Sequence, residues 1–443
     1  MKKFTAVVAL ALAFSLLAGI VVYAESGYAY GEDVLNEFAP EWSSIQADET
    51  VISLVPGGRQ GEIRFGWLSK DKNSHFAVSA NRDMSDSKEI EVEISDAIDG
   101  YFSNKVTVNG LEEGKTYFYS YTENGVWSEP APVSVQNDED FTVLYVSDAQ
   151  IGRSGEETLE EVLIRDTCGW NYTVNKMTGR YPEAAFIISG GDQFQSADSI
   201  TQMKAYLSPE KLRSLPVANT IGNHDKGETL YGDIFNNPNE VNELFADEAG
   251  TGYYYTYGEV LFITVNSNNN FLPDTAKVIR NAVKAYPDAK WRVVTMHHNP
   301  YSASLSDDEY SEERLLFSAL YDCYDIDLVL SGHDHFYSRT EPMYAGRRAE
   351  GEGTVYVQSS SASGSNYDPL PDELASFTVS AFDVRLPTYT ALTFTDSAIK
   401  GTTYRTDTDE IIDSFEVADN TADSDANIFT VFISMLKTLF SMI

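Results

Sequence analysis

Histidine is scarce in this chain of 443 residues: there are six, against 68 acidic and 31 basic side chains. Cysteine is scarcer still, with only Cys168 and Cys323. A single pair leaves room for one disulfide at most, and its wide separation gives no reason to form it, so we expect two inert, buried thiols. No run of Lys or Arg relieves the net charge of −37, which argues against nucleic acid or an anionic membrane surface as a large partner. Hydrophobic residues are not lacking: at 42%, with 12% aromatic, they exclude a disordered or fibrous chain. The length predicts two or three domains.

The first residues, "MKKFTAVVALALAFSLLAGIVVYAES", place Lys2 and Lys3 before a long apolar stretch and small residues at Val22 and Ala24. This reads as a secretory signal over residues 1–24, so the protein is expected to be secreted or held at the cell surface. The last sixteen residues, "IFTVFISMLKTLFSMI", carry one narrow polar stripe and follow the polar linker "VADNTADSDAN". We expect residues 416–443 to be a linker and an amphipathic helix that skims a membrane surface, self-associates or packs back on the protein.

Between these ends the rhythm changes once. "GEIRFGWLS" alternates, and "TYFYSYTENGVWSE" reads as two strands around Asn124-Gly125, a strong hairpin signal. "LEEGKTY" sets Leu111, Gly114 and Tyr117 at the spacing of a tyrosine corner. Residues 25–137 are therefore expected to hold an all-β sandwich behind a leader segment. From Phe141 on, apolar runs end in polar residues: "FTVLYVSD", "AAFIISGGD", "LPVANTIGNHD", "WRVVTMHH" and "IDLVLSGHDH". Helical patterns lie between several of them, such as Leu159, Val162, Leu163 and Asp166, or Val278, Ile279 and Val283. Strands buried on both faces and alternating with helices predict a layered α/β domain over 138–415. Hairpins are expected near Gly258 and at Asp396-Ser397.

Five of the six histidines sit where those apolar runs end, and only His75 lies elsewhere. In an α/β sheet, ligand sites form at the carboxyl ends of strands. The chain places Asp148 and Gln150 there, then Asp192, Asn223 with His224, His297, and finally His333 with His335. Carboxylates, imidazoles and an amide oxygen from five strand ends make a divalent-metal site. Any one cluster could be a turn or a hydrogen-bonded pair. Five in succession point to metal. Eight candidates exceed the needs of one ion, and two ions sharing a carboxylate would use them, an arrangement suited to phosphoryl displacement.

This order of motifs resembles the calcineurin-like metallophosphoesterases: an Asp with a second ligand two residues on, then "GD", "GNHD", a strand ending in His, and "GHDH". A β-sandwich ahead of such a domain resembles the purple acid phosphatase-like subgroup, whose sandwich is of the fibronectin type III or Ig-like kind, and "NKVTVNGLEEGKTYFYSYTENGVWSE" is similar to it. The resemblance implies an αββα-layered second domain. It implies that Asp148, Gln150 and His335 hold one metal, that Asn223, His297 and His333 hold a second, and that Asp192 bridges them. His224 would face the substrate. His297 rather than His298 is implied because Pro300 and Tyr301 follow at the family's spacing.

Two positions depart from that pattern. The purple members carry a tyrosine three residues after the bridging aspartate, where this chain has Gln195, so no purple colour is expected. The wider family ends its first motif in histidine, where this chain has Gln150. An amide oxygen is a harder and weaker ligand, which tilts that site away from tightly held Fe³⁺ and leaves Mn, Fe or Zn as the divalent ions. The implied activity is that of an exported dinuclear phosphatase acting on small phosphate monoesters by attack of a metal-bound hydroxide, with His224 as proton donor. The alternatives are a phosphodiesterase or nucleotide hydrolase on the same site, or a non-catalytic metal-containing surface protein.

Overall fold

The computed structural model describes residues 27–418 apart from 156–157, 306–310, 350–352 and 384, and beyond them only 433 and 436. The expected signal and the C-terminal helix thus lie outside the described residues, two isolated positions excepted.

Alternating patterns in the first third become antiparallel pairs. The strands are β1 (Ser53–Pro56), β2 (Glu62–Ser69), β3 (Phe76–Ser79), β4 (Lys88–Ile90), β5 (Glu93–Asp96), β6 (Phe102–Asn109), β7 (Thr116–Glu123), β8 (Val126–Trp127) and β9 (Ala131–Ser134). One sheet runs β1-β2-β6-β5; the other runs β4-β3-β7, with β8 and β9 both paired to β7. Phe65, Trp67, Phe76, Tyr119 and Tyr121 fill the core that the sheets share. Asn124 and Gly125 join β7 to β8 with φ of 49° and 77°, the left-handed pair that a two-residue hairpin requires. The Tyr117 hydroxyl accepts from the Glu112 N–H at 3.2 Å, closing the expected tyrosine corner. Ahead of this unit lie α1 (Glu32–Phe38) and α2 (Trp42–Ala47). Trp42 is buried with Trp170, Met203 and Tyr206 of the second domain, so the leader segment braces the two units.

The second unit begins with β10 (Phe141–Val146), α3 (Leu159–Arg180), β11 (Ile187–Ser189), α4 (Ile200–Tyr206), β12 (Val217–Asn219) and α5 (Leu230–Ile234). Then come β13 (Tyr253–Tyr257), β14 (Val260–Thr264), α6 (Leu272–Ala285), β15 (Trp291–Thr295), α7 (Glu312–Cys323) and β16 (Leu328–Ser331). The chain closes with β17 (Tyr337–Thr340), β18 (Met343–Tyr344), β19 (Arg347–Arg348), β20 (Val355–Gln358), β21 (Thr378–Phe382), β22 (Thr388–Phe394), β23 (Ala398–Arg405) and β24 (Ile411–Ala418). Two large sheets result, β12-β11-β10-β22-β23-β24 and β13-β14-β15-β16-β20-β17-β21, with β18 and β19 forming a small hairpin of their own.

Period-two alternation explains the layers. Val143 and Tyr145 of β10 point inward to meet Phe262, Val293 and Leu330 of the other sheet. Leu144 and Val146 point outward against Trp170 and Val174 of α3. On the far side Val294 and Val329 pack against Val278 of α6 and Phe317 of α7. The order of layers is helix, sheet, sheet, helix. A capping box at Thr158 and Glu161 starts α3, and Leu159 is exposed on that entry turn while Val162, Leu163 and Asp166 of the same pattern are buried. Hairpins turn at Gly258 and at Asp396-Ser397, as expected. No disulfide joins Cys168 and Cys323; the first is buried, and the second, expected to be buried, is half-buried.

Candidate metal centre

Strands β10, β11 and β12 run parallel, as do β14, β15, β16 and β20, so their carboxyl ends share one edge of the layered domain. Here the chain departs from ordinary backbone. Asp148, Gln150, Asp192, His333 and His335 have φ of 52°, 37°, 52°, 81° and 57°. Left-handed conformation costs a residue with a Cβ on the order of 1–3 kcal/mol, and it clusters where surrounding structure enforces it for function. Each such residue turns its side chain across the edge.

The neighbouring glycines are there for room. A Cβ on Gly222 would stand 2.0 Å from Asp192 Oδ1, and one on Gly332 would stand 2.2 Å from Asp148 Oδ2. Backbone bonds fix the turns against one another. Asp148 N–H donates to Gly191 O, Gln150 N–H to Asp192 O, and Gly332 N–H to His297 O, at 2.8–3.0 Å.

Six of the seven expected ligands come together through their side chains, and the seventh, Gln150, is tied to Asp192 through its backbone. Asp148, Asp192 and His335 are buried, with one donor atom from each within 4.8 Å of the others. His335 Nε2 lies 3.3 Å from Asp148 Oδ1. His297 Nε2 lies 3.3 Å from Asp192 Oδ2 and 3.0 Å from Asn223 Oδ1. His333 Nδ1 lies 3.0 Å from that same amide oxygen and 3.3 Å from His297 Nε2. His298 stands apart: its Nδ1 is hydrogen-bonded to Ser267 Oγ at 2.8 Å, and its ring packs 4.5 Å from that of His333.

These donors suit a cation better than one another. His297 Nδ1 donates to Gly190 O at 3.0 Å and His335 Nδ1 to Asn366 O at 3.2 Å, which leaves each Nε2 facing the cluster. Gln150 Oε1 is buried with no hydrogen-bond partner, an orphan that a metal would satisfy. Separations of 3.0–3.3 Å are the edge lengths expected around a centre with bonds of about 2.1 Å. Electrostatics agree. Burial alone would depress the His297 imidazole, yet Asp192 outweighs it and carries it up to about 10. Burial would raise Asp192, but His297 holds it well below the usual carboxylate range. Positive charge is thus favoured between the two, and a divalent cation would supply it. The residues fit.

Several residues outside the expected ligand set hold these turns in place. The buried Asp225 carboxylate accepts from the N–H groups of Asp192, Gln193, Phe194 and Gly222 at 2.8–3.4 Å, tying the second motif to the third. Ser361 Oγ donates to Asp148 O and Ser363 Oγ to Ala149 O, so the loop after β20 props the first motif from below. Asp166 Oδ2 accepts from Gly152, Arg153 and Ser154 N–H groups and shapes the turn that follows Gln150.

His224 is half-buried beside this cluster. Its N–H donates to Asp192 Oδ1 at 2.9 Å, and its Nδ1 pairs with Gln195 O at 3.2 Å. Gln195 therefore holds His224 through its carbonyl, with Nε2 left for other contacts.

The profile of the calcineurin-like phosphoesterase family matches residues 141–337, a span that contains all seven expected ligands and His224. No curated protein matches the chain in sequence. Among solved structures, a purple acid phosphatase isolated from yellow lupin (Lupinus luteus) seeds superposes with a TM-score of 0.66 at 15% identity, over 86% of this chain and 76% of that one. PhoD superposes with a TM-score of 0.52 at 10% identity, over 88% of this chain and 97% of that one. At such identities the likeness is one of fold.

Proposed function

We propose that this chain, which carries a calcineurin-like phosphoesterase domain, is an exported hydrolase of small phosphate monoesters that works with two divalent cations. One observation carries the reading: donors from five strand ends converge on one edge, with His297, Asn223 and His333 drawn together on one side and Asp148 and His335 on the other. Asp192 stands between the two groups, which suits a shared carboxylate. When bound, the cations would supply the charge that grips phosphoryl oxygens and makes an attacking water acidic near neutral pH.

The chain's own residues do the rest. Asp148, Gln150 and His335 hold one ion and Asn223, His297 and His333 the other. The oxygen of Gln150 favours Mn²⁺ or Fe²⁺ on its side. His224, oriented through Nδ1 by the Gln195 carbonyl, carries a proton on Nε2 when charged and delivers it to the leaving oxygen. Ions held by these residues would locally reverse the sign of the field for an anionic substrate approaching a strongly acidic protein.

Turnover of p-nitrophenyl phosphate and bis-p-nitrophenyl phosphate should be compared on protein of measured metal content. The monoester should be hydrolysed faster. Faster diester turnover would make the protein a phosphodiesterase. Turnover of neither, with both ions loaded, would leave the centre structural.

A further inference from the structure

Leu244, Phe245 and Phe271 are large apolar side chains left in water, with exposures of 72%, 60% and 37%. The two phenyl rings meet edge to face at 4.9 Å, so the residues form one patch. A single exposed apolar side chain means little, but a fixed cluster marks a binding surface. This one is fixed. The Leu244 and Phe245 N–H groups donate to the Asp274 carboxylate at 2.8 and 2.9 Å. The Asn269 amide donates to both Asp274 and Glu243 at 3.0 Å. The loop is thereby built to present these side chains outward.

Its position is specific. Tyr253 pairs with Thr264, so the loop enters β13 at the carboxyl end of β14, and β14 lies beside β15, whose end bears His297. Beyond β14, Ser267 holds His298, and the Asn268 amide donates to Ile221 O and Gly222 O, next to Asn223. Phe271 follows three residues later. From the other side Gly227, three residues past His224, donates its N–H to Asp247 Oδ1 at 2.9 Å. The turn bearing the leaving-group acid is tied to the loop bearing Phe245. Asp247 and the exposed Glu248 add negative charge alongside, which opposes a second anionic group.

We infer that this patch receives the uncharged, apolar leaving group of the substrate, so that the preferred esters are alkyl or aryl monophosphates rather than nucleotides or polyphosphates. The inference rests on the monoesterase reading and deepens it. Hexyl and ethyl phosphate share one leaving-group chemistry and differ by four methylenes. If half of these leave water, kcat/KM should favour the hexyl ester by about tenfold, mostly through KM. Hexylphosphonate should likewise bind about tenfold more tightly than ethylphosphonate in calorimetry, a readout independent of turnover. In the double variant Leu244→Ala with Phe245→Ala both ratios should fall toward one. Hydrolysis of both esters without chain-length preference overturns the inference and leaves the monoesterase reading standing. A preference that survives the double variant also overturns it. Absence of hydrolysis in the metal-loaded protein overturns the reading, and the inference with it.

Discussion

Two of the places where this molecule buries carboxylates differ sharply in what surrounds the acids. At the edge that gathers the expected ligands, Asp148 and Asp192 face Nε2 of His335 and His297 across 3.3 Å. At the junction of leader, sandwich and second domain, Glu123 is buried with no hydrogen bond to either oxygen. Burial first, and then Glu49, with lesser help from Asp71 and Asp48, drive it up to about 8, while Lys204 opposes. Lys204 cannot give more, since its ammonium is engaged by Glu49 at 2.6 Å and by Gln46 O. The acids are alike and their surroundings are not. Imidazole nitrogens and an amide oxygen converge at the first place, where the missing charge is a cation. No such set stands at the second, and the missing charge is a proton.

The largest expected effect comes from removing the carboxylate that both halves of the centre share. Asp192→Ala should lose both ions by elemental analysis, and activity should drop by more than the roughly 100-fold typical of outlying residues. Retention of two ions would separate Asp192 from the centre. His224→Ala should keep both ions and slow alkyl phosphates by on the order of 10²–10⁴, with aryl phosphates, whose leaving phenolate needs less help, slowed much less. Equal slowing of both substrate types, or a lost ion, would remove His224 from its role as acid.

A smaller effect sharpens the contrast within the centre. Gln150→His replaces the orphaned oxygen with imidazole and should raise zinc affinity on that side by about tenfold in a chelator competition. An unchanged affinity would show that Gln150 does not reach the ion.

The smallest effect lies at the junction. The Glu123 carboxyl is raised in the folded protein from 4.5 to about 8. The folded form therefore binds the proton more tightly than the unfolded form, and stability present below pH 4.5 is lost as pH rises toward 8. Glu123→Gln should flatten this slope and raise Tm at pH 8 by roughly 2–4 °C. A Tm that falls would mean that the ionised carboxylate is preferred.

How far these features could be read from sequence depends on how local their causes are. The strand-end residues Asp148, Asp192, Asn223 and His333 were legible because each follows its own apolar run. The hairpin at Asn124-Gly125 and the corner at Tyr117 were legible for the same reason. The props were not. "SSSASGSNY" reads as a loop, and only the parallel bridge between Ser147 and Ser361 brings its hydroxyls under the first motif. Asp225 looked like the end of a turn, yet its carboxylate gathers N–H groups from residues some 30 positions earlier. The leader helices α1 and α2 carry too few apolar residues to announce what they brace, and the partners of Trp42 lie far along the chain.

The account stands on the convergence of two ligand sets around Asp192. Calorimetric titration of the metal-free protein with Mn²⁺, followed by elemental analysis of the saturated protein, tests this most directly. Two ions per chain are predicted, falling to one in His333→Ala. Saturation at a single ion in the unaltered protein would contradict the dinuclear centre.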